Sequence, residues 1–427
     1  MRFATMVSPD DWTISFGTAG PAGWRYILER CARAGIRRIY WRATSGAMYY
    51  DSKIESSRSI PDRPEELLDQ LAPGKGGWYW ETIDYSKDDT FATAFAYGKR
   101  LGLEMFAWLP LEESHGGSPS NLAANHPEWL TIDRSGHRYR RNAGWAHPEV
   151  RRWKLEIIRE ILAYDPDGIM LDLGRYQHML DDDLVSTAGY DPPAVEAFRN
   201  ETGRDPVEIP NGDPQWLKFR ADYFTQWVGD VRKLLDAQHG DKKISVYLRA
   251  PGSGRAQNLN ELQGEWTEQQ LLESCRWMPS GTPLQSRLAD LETWSKRGWI
   301  SSLVFPGGWP RSDPRKWTPV ILRLPQGGRA WSWEPHHSQD AGNYLRQATP
   351  EERGSVRDLF KQMSDDKLEC GWCLLPFALK TGEALADQIR SLHEIGYEEA
   401  IFQESNYLMK VDDSRWDAVK KMSTEVG

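Results

Sequence analysis

Residues 167–176 read DGIMLDLGRY, a short apolar run that begins at a turn and ends on a carboxylate. Asp167 and Gly168 favour the turn, and residues 169–171 have the composition of a strand that is buried on both faces. In a barrel of parallel strands, Asp172 then lies at the carboxyl end of its strand, where such barrels place their active sites. The pattern predicts that Asp172 faces a functional site; a structural aspartate that caps the following loop is the alternative.

Short apolar or β-branched runs alternate with amphipathic helical stretches along the chain, which is the order expected of a parallel sheet. We therefore predict an α/β fold, a (β/α)8 TIM barrel with enlarged loops at the carboxyl ends of the strands, in a single domain over residues 1–427. Such a barrel has eight strands, so one of nine candidates must be surplus. The candidates span residues 3–7, 36–41, 103–108, 168–172, 244–248, 300–305, 329–333, 370–375 and 400–403.

Helices are predicted between these strands over residues 148–163, 214–238 and 383–395, because each stretch has its apolar positions on one face. Asp191 and the double proline that follows it indicate another helix start. The loops after the second, fourth and fifth candidate strands are long. Since loops at this end of the strands build the site in this fold, the sequence predicts a shaped cleft there.

Net charge and hydropathy exclude two classes of partner. The formal charge is −9 and the pI is near 5.6, so the chain lacks the basic field with which proteins bind nucleic acid. Its apolar runs are shorter than the roughly 20 residues of a membrane span, and its first residues lack the pattern of a signal peptide. We expect a cytoplasmic protein as the sequence is written, or a periplasmic or secreted one if a leader was removed. The sequence does not indicate an oligomeric state.

Three stretches resemble a known group of proteins: residues 126–140 (HPEWLTIDRSGHRYR), 147–176 (HPEVRRWKLEIIREILAYDPDGIMLDLGRY) and 189–206 (GYDPPAVEAFRNETGRDP). The group is the glycoside hydrolase-like proteins similar to family ten, which have an Asp-Gly-Ile-x-x-Asp-x-x-Arg-Tyr run on the fourth barrel strand. The resemblance covers residues 100–210, about a quarter of the chain, and implies action on carbohydrate. The resemblance implies that Asp172 and Arg175 are site residues. The better-known barrel glycosidases have an Asn-Glu pair at the end of the fourth strand, and this chain does not. The resemblance therefore does not identify the second catalytic carboxyl group.

Glycoside hydrolysis usually needs two carboxyl groups at the scissile bond, one protonated and one ionised. We assign Asp172 as nucleophile or base and look for the acid at other predicted strand ends. Glu334 ranks first, because neighbouring tryptophans would desolvate its carboxyl group and raise its pKa. Glu113 ranks second and Glu404 third. For each of these acids taken alone, a structural role as a salt bridge to a neighbouring arginine or as a loop cap is favoured over catalysis.

Side chains that bind sugar are expected around these acids. Arginines after strand ends suit carboxylate or sulfate groups, and imidazoles suit sugar hydroxyls. Tryptophans in glycine- or proline-rich loops suit the apolar faces of sugar rings, whereas Trp153, Trp216 and Trp227, at helical spacing, are expected to pack in the core. The predicted substrate-binding residues are Arg42, His115, Arg175, Tyr176, His178, Arg249, Trp309, Trp333, His336 and Glu404, with Trp78 and Trp80 as further platforms.

Two other functions fit the same pattern. A barrel with an aromatic cleft can bind carbohydrate without turnover, because fold does not fix function. Adjacent histidines seldom point the same way, which disfavours a metal-dependent hydrolase or isomerase with the ligands Glu334, His336, His337 and Asp340. We therefore predict no metal and no cofactor. The single C-x-x-C pair, Cys370 and Cys373, is interpreted as strand residues.

Overall fold

The structure of the protein is a computed structural model. It describes residues 1–44, 48–54, 85, 87–111, 122, 125–134, 136, 138–173, 188–210, 213–248, 257–258, 289–305, 309–310, 318–323, 329–334, 345–346, 350–376, 379, 381–408 and 413–427. Within these residues, no helix combines the length and the apolar character that a bilayer crossing requires.

Eight parallel strands close into a barrel, in which each strand pairs with the next along the chain and the last pairs with the first. We number them β1 to β8. The strands are Arg2–Val7, Arg38–Arg42, Glu104–Pro110, Gly168–Asp172, Lys243–Tyr247, Ser302–Phe305, Glu369–Leu374 and Glu399–Phe402. The predicted barrel is confirmed.

The surplus candidate is the strand predicted over residues 329–333. Arg329–Glu334 pairs antiparallel with Thr318–Arg323 and, at its other edge, with Gln257–Asn258. This three-stranded sheet is separate from the barrel and combines residues from the loops that follow β5 and β6. A short strand of this kind has the same composition in either kind of sheet, so the sequence alone could not assign it.

The helices are numbered α1 to α10 along the chain. They are Pro9–Phe16, Gly20–Arg33, Thr90–Arg100, Pro148–Leu162, Pro192–Thr202, Pro214–His239, Leu291–Lys296, Pro350–Met363, Gly382–Ile395 and Ser414–Glu425. Helices α4, α6 and α9 confirm the three predicted helices, and α5 confirms the start at Asp191. A large buried cluster joins apolar side chains of these helices to strand residues of the barrel.

The connections at the carboxyl ends of five strands are long, spanning residues 43–89, 111–147, 173–191, 248–290 and 306–349. The sequence predicted three of them and missed those after β3 and β6. The loop after β3 contains the hairpin of Leu130–Ile132 and Arg138–Ala143. Its Ile132 N–H donates to Asp191 Oδ1 at 3.0 Å, which ties this loop to the one after β4.

Alternate strand residues face the barrel interior, where a second buried cluster contains Ala4, Met6, Tyr40, Phe106, Trp108, Met170, Tyr247, Val304, Cys373 and Ile401. Because this alternation has a period of two, Gly168 and Asp172 face inward together with Met170. Gly168 has to be glycine: an added Cβ would lie 2.3 Å from Phe106 Cε1 and 2.7 Å from the carbonyl oxygen of Lys243.

Ion pairs fill the amino-terminal end of the interior, which we call the floor. Arg38, with a side chain 0% exposed, donates to Glu399 Oε1 at 2.9 Å and to Glu104 Oε2 at 2.7 Å. Arg2 donates to Glu369 Oε2 at 2.9 Å. The floor is therefore closed by charged side chains, and the predicted site belongs to the opposite end.

Candidate active site at the carboxyl end of the barrel

Asp172 is the last residue of β4 and faces inward above Met170. Its Oδ2 accepts a hydrogen bond from Trp108 Nε1, on the neighbouring strand β3, at 2.7 Å. Asp172 is 0% exposed. The side chain therefore lies in the uppermost layer of the interior, at the end away from the floor, and is covered. Its predicted catalytic role stays a prediction.

Arg42, the last residue of β2, lies beside the same tryptophan. Its guanidinium carbon is 5.2 Å from the centroid of the Trp108 ring and 5.8 Å from that of Tyr49. Its Nη1 donates to Ser8 Oγ at 2.9 Å, and its Nε donates to the Thr44 carbonyl at 3.0 Å. Arg42 is buried, so it links the ends of β1, β2 and β3. Its predicted contact with substrate stays a prediction.

Two aspartates that the sequence analysis did not select follow β1, in the first turn of α1. Buried Asp10 accepts hydrogen bonds from Ser8 Oγ and, at 2.6 Å, from Tyr49 Oη. Its Oδ2 lies 4.0 Å from Arg42 Nη1. The signal for this site was present in SPDDW, residues 8–12, because Asp10 and Asp11 come soon after a strand end and Asp172 lies at one.

The carboxyl group of Asp11 is close enough to that of Glu404, which follows β8, to feel its charge. Burial, together with the charges of Glu404 and Asp10, raises the pKa of Asp11 from 3.8 to about 8. Glu404 is 6% exposed, whereas Asp11 is half-buried. Glu404 also has a φ of 49°, in the left-handed region that residues other than glycine rarely adopt. The predicted contact of Glu404 with substrate stays a prediction.

Tyr85 lies next to this group of side chains. Its ring stacks on Tyr49, with centroids 5.4 Å apart, and the charge of Asp10 adds to burial in raising the pKa of Tyr85. Tyr85 is 6% exposed, and its hydroxyl has no hydrogen-bond partner in the part of the chain that the structure describes. It thus provides a buried polar group beside the ends of β1 and β2.

Most of the other predicted site residues lie outside the described residues: Trp78, Trp80, Glu113, His115, Arg175, Tyr176, His178, Arg249, His336, His337, Asp340 and the side chains of Trp309, Trp333 and Glu334. The backbone of Glu334 pairs with Thr318 in the separate sheet. The premise that Glu334 ends a barrel strand is therefore wrong. It belongs instead to the loop after β6, which leaves the carboxyl end of the barrel.

The packing predictions are confirmed for Trp216 and Trp227, which are both 0% exposed, and Trp153 packs against the core at its edge. Cys370 and Cys373 are strand residues of β7, as expected. They belong to the outer and the inner cluster respectively, so their side chains lie on opposite faces of the strand. Among the described residues, no three histidine, cysteine or acidic side chains are grouped as metal ligands would be.

A model of the family described as glycosyl hydrolase-like 10 matches residues 80–310, more than half of the chain. The chain belongs to the glycosyl hydrolase-like 10 family. The matched region runs from before β3 to the end of β6 and includes Asp172. The resemblance carried by residues 126–206 is thereby confirmed. A search of curated proteins gives no match to the sequence.

Solved structures share the fold of this glycosyl hydrolase-like 10 chain at low sequence identity. The PgaB (BpsB) glycoside hydrolase domain from Bordetella bronchiseptica is 13% identical, with a TM-score of 0.54 and 99% of each chain covered. The catalytic domain of β-amylase from Paenibacillus polymyxa is 11% identical, with a TM-score of 0.55 and coverage of 100% of this chain and 98% of that one. A β-galactosidase from the psychrophilic Marinomonas ef1 is 12% identical, with a TM-score of 0.56; all of this chain is covered, and it spans 59% of the β-galactosidase.

Proposed function

We propose that this glycosyl hydrolase-like 10 protein hydrolyses O-glycosidic bonds in an oligo- or polysaccharide, with Asp172 as nucleophile or general base. The observation that carries the proposal is the position of Asp172, an inward-facing carboxylate in the uppermost layer of the barrel. TIM-barrel enzymes take their catalytic residues from these strand ends. Membership of a glycosyl hydrolase-like family supports the same reaction class.

The two carboxyl groups of a glycosidase have separate tasks. An ionised Asp172 attacks the anomeric carbon if the carboxyl groups are about 5–5.5 Å apart, or activates a water molecule if they are about 6.5–9.5 Å apart. The second group donates a proton to the leaving oxygen. Glu334 and Glu113 remain candidates for this acid, because the loops that carry them leave the barrel at its carboxyl end.

Aromatic side chains around the strand ends support a carbohydrate ligand. Trp108 contacts both Asp172 and Arg42, and Arg42 also lies 5.8 Å from the ring centroid of Tyr49, which stacks on Tyr85. Aromatic rings cover the apolar faces of sugars, and their polar edges bind hydroxyl groups.

The test is the release of reducing ends from a panel of neutral and acidic polysaccharides by the wild-type protein and by Asp172→Asn. We expect the variant to lose about 100-fold or more in kcat while it binds the released oligosaccharide with unchanged affinity. A preference for acidic polysaccharides would support the prediction that the arginines bind acidic groups of the substrate. A preference for neutral polysaccharides would contradict that prediction.

Asp167→Asn is the matched control. Asp167 directly precedes the same strand, at its floor end, and its Oδ2 accepts a hydrogen bond from the Met105 N–H at 2.7 Å. Both substitutions remove a charge from a hydrogen-bonded aspartate, but only one lies at the proposed site. Equal activity of the two variants would refute the role of Asp172. A wild-type protein that binds the polysaccharides without cleaving them would be a carbohydrate-binding barrel instead.

A further inference from the structure

We propose that Trp108 is a positioning residue for the glycosidase reaction: its indole N–H holds the Asp172 side chain in one orientation and favours the ionised form of the carboxyl group. The inference rests on the proposed function, in which Asp172 acts as nucleophile or general base. Trp108 does not belong to the site residues that the sequence predicts. The assignment follows from contacts that join the ends of β2, β3 and β4.

The bond between the two side chains is short and lies inside the barrel. Trp108 Nε1 donates to Asp172 Oδ2 at 2.7 Å, and both residues are 0% exposed. An indole N–H can only donate, so the bond favours a carboxylate oxygen that carries no proton. Hydrogen bonds to a charged acceptor are stronger than those to a neutral one, and more so in a buried site. The bond therefore stabilises the ionised form of Asp172 relative to the protonated form.

The register of the strands determines where the indole lies. Trp108 pairs with Met170, the residue two positions before Asp172, and both side chains face the interior. The indole therefore starts in the layer beneath Asp172 and reaches the carboxylate along the direction of the strands. Because a carboxylate offers about four acceptor positions, Asp172 can keep this bond and still attack the anomeric carbon or a water molecule.

Packing alone does not account for an indole at this position. The fold accommodates buried tryptophans such as Trp216 and Trp227, whose Nε1 has no hydrogen-bond partner among the described residues. One layer below Trp108 on the same strand, the phenyl ring of Phe106 fills the interior. The feature that distinguishes tryptophan from phenylalanine here is the N–H group, and that group bonds to Asp172.

Arg42 supports the indole from the neighbouring strand. It is the register partner of Trp108, and its guanidinium carbon is 5.2 Å from the centroid of the ring. A cation over an indole is attracted to the ring electrons, and it makes the N–H a better donor by drawing electron density away from it. Ser8 Oγ and the Thr44 carbonyl hold the guanidinium in place, as acceptors at 2.9 Å and 3.0 Å. Arg42 therefore acts on Asp172 through Trp108.

The titratable and charged groups near Asp172 come from three other strands. Above the floor, the inward-facing residues of β3 carry no titratable group. On β5, Tyr247 is the register partner of Asp172 and faces inward, but tyrosines are neutral in the acid range. On β2 there is Arg42, with Asp10 from the end of β1 at 4.0 Å from its Nη1. Asp10 keeps its contacts when only Trp108 changes, so an acid-range effect of that change is assigned to Asp172.

The test compares Trp108→Phe with Trp24→Phe in the whole chain. Trp24, a buried residue of α2, donates from Nε1 to Asp88 Oδ1 at 3.0 Å, so both substitutions remove an indole N–H from a carboxylate. The substrate is whichever of starch, xylan, cellulose, chitosan and pectate the wild-type protein cleaves fastest. Both kcat and KM are measured as a function of pH. A loss of stability alone would appear in both variants.

We expect Trp108→Phe to lower kcat about 10-fold, because the carboxylate is no longer held in one orientation, and to leave KM near the wild-type value. The acid limb of kcat/KM should move up by about one pH unit, because the ionised form of Asp172 loses a charge-assisted hydrogen bond. Trp24→Phe should change neither kcat nor the acid limb. An unmoved acid limb in Trp108→Phe, or the same change in both variants, overturns the positioning role and leaves the proposed function standing.

The indole N–H signal of Trp108 provides a readout that does not depend on activity. In the NMR spectrum of protein with isotope-labelled tryptophan, it is the signal that Trp108→Phe lacks or, if that variant does not fold, the signal that Asp172→Asn displaces. Its position should change with pH at the midpoint of the acid limb, because the bond to a protonated carboxyl group is weaker. A signal that does not follow the acid limb overturns the positioning role. If the wild-type protein cleaves none of the polysaccharides, the proposed function fails and the role of Trp108 in it fails as well.

Discussion

At the scale of single residues, the hydrogen bond from Trp108 to Asp172 stabilises a buried carboxylate. Trp108→Phe removes the indole N–H that donates to Oδ2 of Asp172. We expect this loss to lower the free energy of unfolding by about 1–3 kcal/mol. Urea unfolding at neutral pH measures this. Trp227→Phe is the control, because buried Trp227 Nε1 has no hydrogen-bond partner in the described residues and the lost ring volume is the same. Equal destabilisation by the two substitutions would contradict the importance of the bond.

Gly168 tests how tightly the interior beneath Asp172 is packed. Gly168→Ala would place a methyl group against Phe106 and the Lys243 carbonyl, and overpacking of this kind costs about 1–3 kcal/mol. Gly354→Ala in α8 is the control. The nearest atom to its added methyl group is 3.9 Å away, so the substitution should raise stability by up to about 1 kcal/mol. Thermal unfolding of both variants checks the opposite signs, and a stable Gly168→Ala would show a looser interior.

The placement of Asp172 could be predicted from the sequence, whereas the proximity of Asp11 to Glu404 could not. The period of a strand and the position of an acid at its end are local properties, so DGIMLD was sufficient to place Asp172. The approach of Asp11 to Glu404 depends on which strands are neighbours at the closure of the barrel. That information is not local, although SPDDW already marked Asp11 as a strand-end acid.

At the scale of strands, the floor depends on Arg38. Removal of Arg38 would take the nearer cation from Glu399, which is 1% exposed, and leave Arg2 at 3.5 Å as its remaining ion-pair partner among the described residues. Arg38→Met should therefore cost about 3–5 kcal/mol in urea unfolding, and the addition of Glu399→Gln should recover part of this loss. Arg33→Met is the control: its side chain is 65% exposed and pairs with Glu29 on the same helix, so its effect should be below about 1 kcal/mol. A similar small effect for Arg38→Met would contradict the account of the floor.

The strand over residues 329–333 shows where pattern reading fails for an element. Its short tryptophan-rich sequence fits a barrel strand, but its pairing partners are Thr318–Arg323 and Gln257–Asn258. The composition of a segment indicates that it forms a strand, whereas tertiary packing determines which strand it pairs with. The same misassignment applies to Glu334, whose predicted position was the end of a barrel strand.

At the scale of the whole molecule, closure of the barrel makes stability depend on the proton of Asp11. The folded protein raises the pKa of Asp11 above its ordinary value, so it binds this proton more tightly than the unfolded chain. The resulting stabilisation is fully present below about pH 4 and is lost as the pH rises to about 8. Asp11→Asn should therefore lose less stability than the wild type across this range. Urea unfolding at a series of pH values tests this, with Asp417→Asn as the control; parallel curves for wild type and Asp11→Asn would contradict it.

The most direct test of the central claim is a crystal structure of Asp172→Asn with an oligosaccharide from the cleaved polysaccharide. The account predicts that the sugar lies in the mouth of the barrel, with residue 172 uncovered and facing the anomeric carbon. The glycosidic oxygen should then lie within about 2.6–3.2 Å of a second carboxyl group, which donates the proton. An oligosaccharide bound elsewhere, with residue 172 still covered, would contradict the account.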